Sequence, residues 1–142
     1  MKEPGWNHRG FPVKDEPCPP FRVLCVDDHR DTADSTVLLL KIVGFEARAA
    51  YDGPSALKIA EVFRPSVCII DYNMPFMNGA ELAAHLRNQP GSCVLLIVAV
   101  SAMSKIDQRN FDMHMVKPAD PAKLLEIVNA LFHLSEQSVL RR

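Results

Sequence analysis

VCIIDYNMPFMNG, residues 67–79, opens on an unbroken apolar run, ends that run with a carboxylate at Asp71, and then turns through Asn73, Pro75, Asn78 and Gly79. A short apolar run bounded by turn formers predicts a strand covered on both faces. Asp71 then stands at its carboxyl end. Residues 79–88 follow with Leu82, Ala83 and Leu86 at helical spacing, so the stretch reads strand, loop, helix.

The same order repeats in both directions. Residues 22–27 (RVLCVD) predict a buried strand, and residues 31–43 a helix through Ala33, Val37, Leu40 and Val43, stopped by Gly44. Residues 45–50 predict a second strand. Pro54 suits the first turn of a helix over 53–63, which Arg64-Pro65 ends. Residues 94–100 are the most apolar strand, and 113–116 a short last one. Asp120-Pro121 opens a final amphipathic helix with Leu124, Ile127, Val128, Leu131 and Leu134 on its buried stripe. Strands alternating with helices imply right-handed crossovers and a parallel sheet. Five strands and about five helices predict an α/β, flavodoxin-like, doubly wound sheet in the order 2-1-3-4-5. In such sheets chemistry gathers beyond the carboxyl ends of the strands, where the order reverses.

Composition sets the limits. The 142 residues, 48% hydrophobic and 23% charged, suit one globular domain. A net charge of −1 leaves no nucleic-acid footprint. The longest apolar run is too short to cross a bilayer. Residues 1–20, rich in proline, predict a flexible tail before a folded domain at 21–138, with a short tail at 139–142. Cys18, Cys25, Cys68 and Cys93 are scattered, and three of them lie in apolar runs as expected of buried free thiols. That usage fits a reducing, cytoplasmic setting.

The strand ends carry the chemistry. The first strand ends in Asp27 and Asp28, the third in Asp71, the fourth in Ser101 and the fifth in Lys117. Strands one and three are neighbours in the expected order, so the three carboxylates meet. They stay ionised together only with a cation among them, and oxygen ligands that must also hold phosphate favour Mg2+. Taken singly, each residue has a plainer reading: Asp27-Asp28 as a helix cap, Asp71 as a turn former, Ser101 as a cap, Lys117 as a solvated lysine. Together they are what phosphoryl transfer onto a carboxylate needs, with Asp71 as nucleophile and with Lys117 and Ser101 for phosphoryl oxygens.

The segments VLCVDDHRDTADS, DYNMPFMNG, VAVSA and MVKP resemble the receiver domain of two-component response regulators, over about residues 21–135. The first helix most resembles receivers that work with hybrid histidine kinases. The resemblance implies Asp71 as the phosphorylation site, and Mg2+ held by Asp28, Asp71, the backbone carbonyl of Asn73 and, through water, Asp27. It further implies Ser101 as a switch hydroxyl, Lys117 as the phosphate-binding lysine and a cis Lys117-Pro118 bond. Two departures stand out. Only AMSKIDQRNFDMHMV separates Ser101 from Lys117. At most about two turns of helix fit before the fifth strand, so helix four is expected to be shortened or missing and any homodimer to use a non-standard surface. His114 stands where many receivers carry Tyr or Phe, offering a titratable ring for a switching role or a plain surface histidine. His29 is expected at the site rim.

The leading expectation is a phosphorelay switch, not an enzyme. A histidine kinase or histidine phosphotransfer protein is its donor, and protein–protein contacts are its output, because the chain ends soon after the last helix. The alternative is a receiver-fold interaction module with an intact site but altered switching. A phosphatase of the haloacid-dehalogenase kind is disfavoured because position 73 is Asn73 rather than a second acid.

Overall fold

Five strands, β1 (Arg22–Val26), β2 (Glu46–Ala50), β3 (Val67–Asp71), β4 (Leu96–Ser101) and β5 (Met113–Val116), pair in parallel in the order β2-β1-β3-β4-β5. Four helices connect and flank them: α1 (Arg30–Ile42), α2 (Gly53–Phe63), α3 (Gly79–Asn88) and α4 (Pro121–Leu140). The computed structural model describes residues 20–90 and 93–140, so nearly all of the expected N-terminal tail lies outside the described residues. This is the expected α/β, flavodoxin-like fold.

Period-two alternation divides the core between the faces of the sheet. Val23, Cys25, Ile69 and Val98 meet Val37 and Leu40 of α1 and Leu124 and Val128 of α4. Leu24, Val26, Ile70 and Ile97 meet Ala56 and Ala60 of α2 and Leu82 and Leu86 of α3. Every residue of β3 is buried, as the apolar run predicts. Asp52 accepts from Ser55 N at 2.7 Å and Asn78 from Glu81 N at 2.9 Å, capping α2 and α3. Arg64 adopts the left-handed region (φ 51°) to end α2 before Pro65.

Three expectations are corrected. β4 begins at Leu96, whose N–H is the first to join the sheet, through Ser66 O at 2.9 Å, and Val94 lies exposed before it. Leu134 is 54% exposed and not on the buried stripe, which stops at Leu131. α4 outruns the sheet there, and Phe132 packs on Phe21 and Phe45 with ring centroids 5.2 and 5.8 Å away. Cys25 and Cys68 are buried free thiols, whereas Cys93 is disulfide-bonded, so cysteine usage gives no argument for a reducing compartment. Four helices stand among the described residues and residues 102–112 form none, in keeping with the expectation that helix four is shortened or missing.

A side-chain clasp takes the place of that helix. Arg87 of α3 donates to Leu95 O and to Asn110 O at 3.1 Å and pairs with Asp112. Asp112 Oδ2 in turn accepts from Ile97 N at 2.7 Å. One carboxylate therefore satisfies a strand N–H and anchors the end of the irregular segment. Asp112→Ala is expected to lower unfolding free energy by about 1–3 kcal/mol, the cost of a stranded buried donor and a lost charged partner. Urea denaturation checks this, and an unchanged midpoint would mean that the clasp carries no weight.

Candidate functional site

The register brings the chemistry to one rim. Val26 pairs with Ile70, Asp71 with Val100 and Ser101 with Val116. Asp27, Asp71, Ser101 and Lys117 therefore leave the sheet at nearly the same level. Main-chain bonds extend that edge, from Asp27 N to Ala50 O at 3.1 Å, Tyr72 N to Val100 O at 2.9 Å and Lys117 N to Ser101 O at 2.8 Å.

Gly79 allows the close approach on which the cleft depends. A Cβ there would lie 2.7 Å from Tyr72 Cα and 2.9 Å from Asp71 O. Its N–H donates to Tyr72 O at 2.8 Å, so the start of α3 closes directly on the backbone that carries Asp71. Phe76, in the loop between them, takes a left-handed φ of 69° and is fully exposed. That conformation is strained for a bulky residue.

The Asp71 side chain is only 3% exposed, and its Oδ1 accepts from Lys117 Nζ at 3.1 Å. Its carboxyl is raised to about 6 on balance: burial pushes it up most, the Lys117 bond pulls it down, and the charge of Asp27 pushes it up again. Ligand atoms of Asp27, Asp28, His29 and Asp71 lie within 4.8 Å of one another. Asp28 Oδ1 is buried and has no hydrogen-bond partner. Three carboxylates face one lysine, so charge and orphaned acceptor together fit a hard divalent cation such as Mg2+.

The expected residues divide in two. Asp27, Asp28, Asp71 and Lys117 are brought together. Asn73 joins them through its backbone, whose N–H donates to Asp71 Oδ1 at 3.3 Å. Ser101 is buried at the rim, but its Oγ accepts from Met103 N at 3.0 Å and makes no bond to Asp71. His114 is half-buried on β5, and its Nε2 has no hydrogen-bond partner. The Lys117-Pro118 bond is cis, as expected. His29 lies at the site rim as expected, its side chain 76% exposed and its Nδ1 3.7 Å from Asp27 Oδ1 and 3.6 Å from Asp28 Oδ1. The only signal for this in the sequence is adjacency to the acidic pair.

A parallel 2-1-3-4-5 sheet with paired acids, a buried acid and a lysine at its carboxyl rim is an arrangement consistent with a phosphoacceptor site. The model of the response regulator receiver domain matches residues 23–129, and the chain belongs to that family, a module of two-component signalling and not a classical enzyme. It is 38% identical over 119 residues to the transcriptional regulatory protein PrrA of Mycobacterium tuberculosis, covering 78% of this chain and 49% of that one. The chain thus spans about half the length of that relative. Among solved structures it is similar to chemotaxis protein CheY4 of Vibrio cholerae, with TM-score 0.72, 28% identity, and 78% and 98% of the two chains covered. The response regulator TrrA of Thermotoga maritima, solved in complex with Mg(2+)-BeF, matches with TM-score 0.69, 27% identity, and 78% and 98% covered.

Proposed function

We propose that this chain is a phosphoacceptor in a two-component phosphorelay, taking a phosphoryl group onto Asp71 from a phosphohistidine of a kinase or phosphotransfer protein. The observation that carries the reading is the pairing of a buried Asp71 with Lys117 at 3.1 Å beside two further acids. The N–P bond of the donor breaks, its electron pair stays on the imidazole, and an O–P bond forms at the Asp71 carboxylate.

Asp28, Asp71 and the Asn73 carbonyl are the residues that would hold Mg2+, with Asp27 acting through water. Bound there, Mg2+ supplies charge neutralisation for the phosphoryl oxygens. Lys117 holds a further equatorial oxygen. Ser101, whose Oγ accepts from Met103 N, would donate its O–H to a phosphoryl oxygen and draw residues 102 and 103 inward with it. His114, whose buried Nε2 is unpaired, is the ring that would follow. Output is assigned to protein–protein contacts, without nucleic-acid binding by this chain. Among the described residues no helix is long and apolar enough to cross a membrane, and a cytoplasmic setting is part of the proposal.

The test is incubation with acetyl phosphate. In Mg2+ the chain is expected to gain one phosphoryl group, mapped by peptide mass spectrometry to Asp71, and to gain none in EDTA. No Mg2+-dependent gain, or a gain mapped elsewhere, would sink the reading. The missing helix between β4 and β5 favours a second reading, a receiver-fold interaction module whose site no longer drives a switch. Beryllofluoride binding with no change in amide exchange beyond the site loops would select it.

A further inference from the structure

His29 is the feature that the phosphoacceptor reading leaves unused. It is the N-cap residue of α1, but its side chain makes no capping bond. Its backbone N–H donates to Asp27 Oδ1 at 2.9 Å, which sets the residue against the acidic pair. Its Nδ1 then lies 3.6 Å from Asp28 Oδ1, the buried acceptor with no hydrogen-bond partner.

These separations are too long for hydrogen bonds. They exceed the spacing of neighbouring ligand atoms around a first-row metal by only a few tenths of an ångström. With metal–nitrogen and metal–oxygen bonds of about 2.1 Å, neighbouring ligand atoms lie about 3.0–3.4 Å apart. The imidazole side chain is 76% exposed, so a small inward rotation meets little resistance. The plain alternative is an imidazolium paired loosely with two carboxylates.

We propose that His29 Nδ1 is a further protein ligand of the cation held by Asp28, Asp71 and the Asn73 carbonyl, beside the water-linked Asp27, so that the site favours a borderline ion such as Co2+ over Mg2+ more than its oxygen ligands alone would. The inference rests on the phosphoacceptor reading for the position of the metal. An all-oxygen set discriminates weakly among hard ions, whereas one imidazole nitrogen adds affinity in the order Mg2+ < Mn2+ < Co2+. Neutral His29 binds through Nδ1 and leaves Nε2–H to solvent.

The test uses the full chain without an affinity tag, as wild type and His29→Ala, an exposed substitution that leaves the core untouched. Mn2+ is added as the spin probe, and Mg2+ and Co2+ affinities are measured by calorimetry. Wild type is expected to show nitrogen modulation in the Mn2+ spin-echo spectrum, and H29A to lose it. H29A is expected to lose roughly tenfold or more in Co2+ affinity, the scale on which even outer partners of a metal matter. Its Mg2+ affinity is expected to stay within about twofold, because Mg2+ gains little from imidazole. Mn2+ displaced by Mg2+ but without a nitrogen signal, and an equal Co2+ to Mg2+ affinity ratio in both proteins, would overturn this inference alone. Failure of Mg2+ and Mn2+ to bind either protein would overturn the phosphoacceptor reading and this inference with it.

Discussion

Asp71→Asn is expected to abolish phosphoryl uptake and, at neutral pH without metal, to make the protein more stable. The first effect is chemical, since an amide cannot serve as the acceptor oxygen. The second follows from linkage. Burial raises the Asp71 carboxyl to about 6 in the folded chain, above its ordinary value. A raised carboxyl contributes stability that is fully present below its unfolded value near 4 and is lost as pH rises through about 6. At pH 7 the ionised side chain therefore destabilises the metal-free fold by on the order of 1–2 kcal/mol, after allowance for solvent at the mouth of the cleft. D71N lacks that cost. Its melting temperature in EDTA should exceed that of wild type by several degrees at pH 7 and converge with it below pH 4. Saturating Mg2+ should close the gap from the wild-type side. A D71N protein that melts below wild type at pH 7 in EDTA, or that still takes up phosphate, would contradict the assignment of Asp71 as a buried, unreacted acid.

Lys117→Ala carries the second large effect. Its Nζ is the nearest positive charge to Asp71, at 3.1 Å, and it approaches the carboxylate from β5 while the other acids approach from β1. Removing one pre-positioned donor from a charge-developing site slows reaction by about 10²-fold or more. Phosphoryl uptake from acetyl phosphate at saturating Mg2+ is expected to fall on that scale. Mg2+ affinity is expected not to fall, because a competing cation has left the cluster. Stopped-flow uptake and Mg2+ titration separate the two quantities. An uptake rate within twofold of wild type would remove Lys117 from the phosphate site, and a collapse of Mg2+ affinity would make it a structural prop instead.

Most of the sheet was legible because its determinants are local. Each strand is a short apolar run with its own turn residues, and alternation with helices decides parallel pairing. The four charged site residues were legible for the same reason: strand ends fall at one rim whatever the loops do. What was not legible depends on distant partners. The short stretch between Ser101 and Lys117 announces the missing helix, but Arg87 and Asp112 are far apart in sequence and nothing in either segment announces the clasp between them. Val94 and Leu134 look like core residues by spacing, but the sheet does not reach them. Ser101 falls at the expected place, while the direction of its hydroxyl is decided by Met103 N. His29 shows the same division, since its position follows from the neighbouring acids and its imbalance of contacts only from the turn.

The helix-free segment between β4 and β5 has a consequence for how the domain could report its state. Residues 102–112 are tied down at Met103 by the Ser101 hydroxyl and at Asn110 and Asp112 by Arg87. Between those points the side-chain bonds are local, such as the Arg109–Asp107 pair. A helix would have to move as a rod, and its displacement would be the message. A strap fixed at two ends can differ between states in how many conformations it samples. Phosphoryl capture by Ser101 would shift one anchored end of the strap, so the quantity passed to a partner becomes conformational entropy, read as a gain or loss of order.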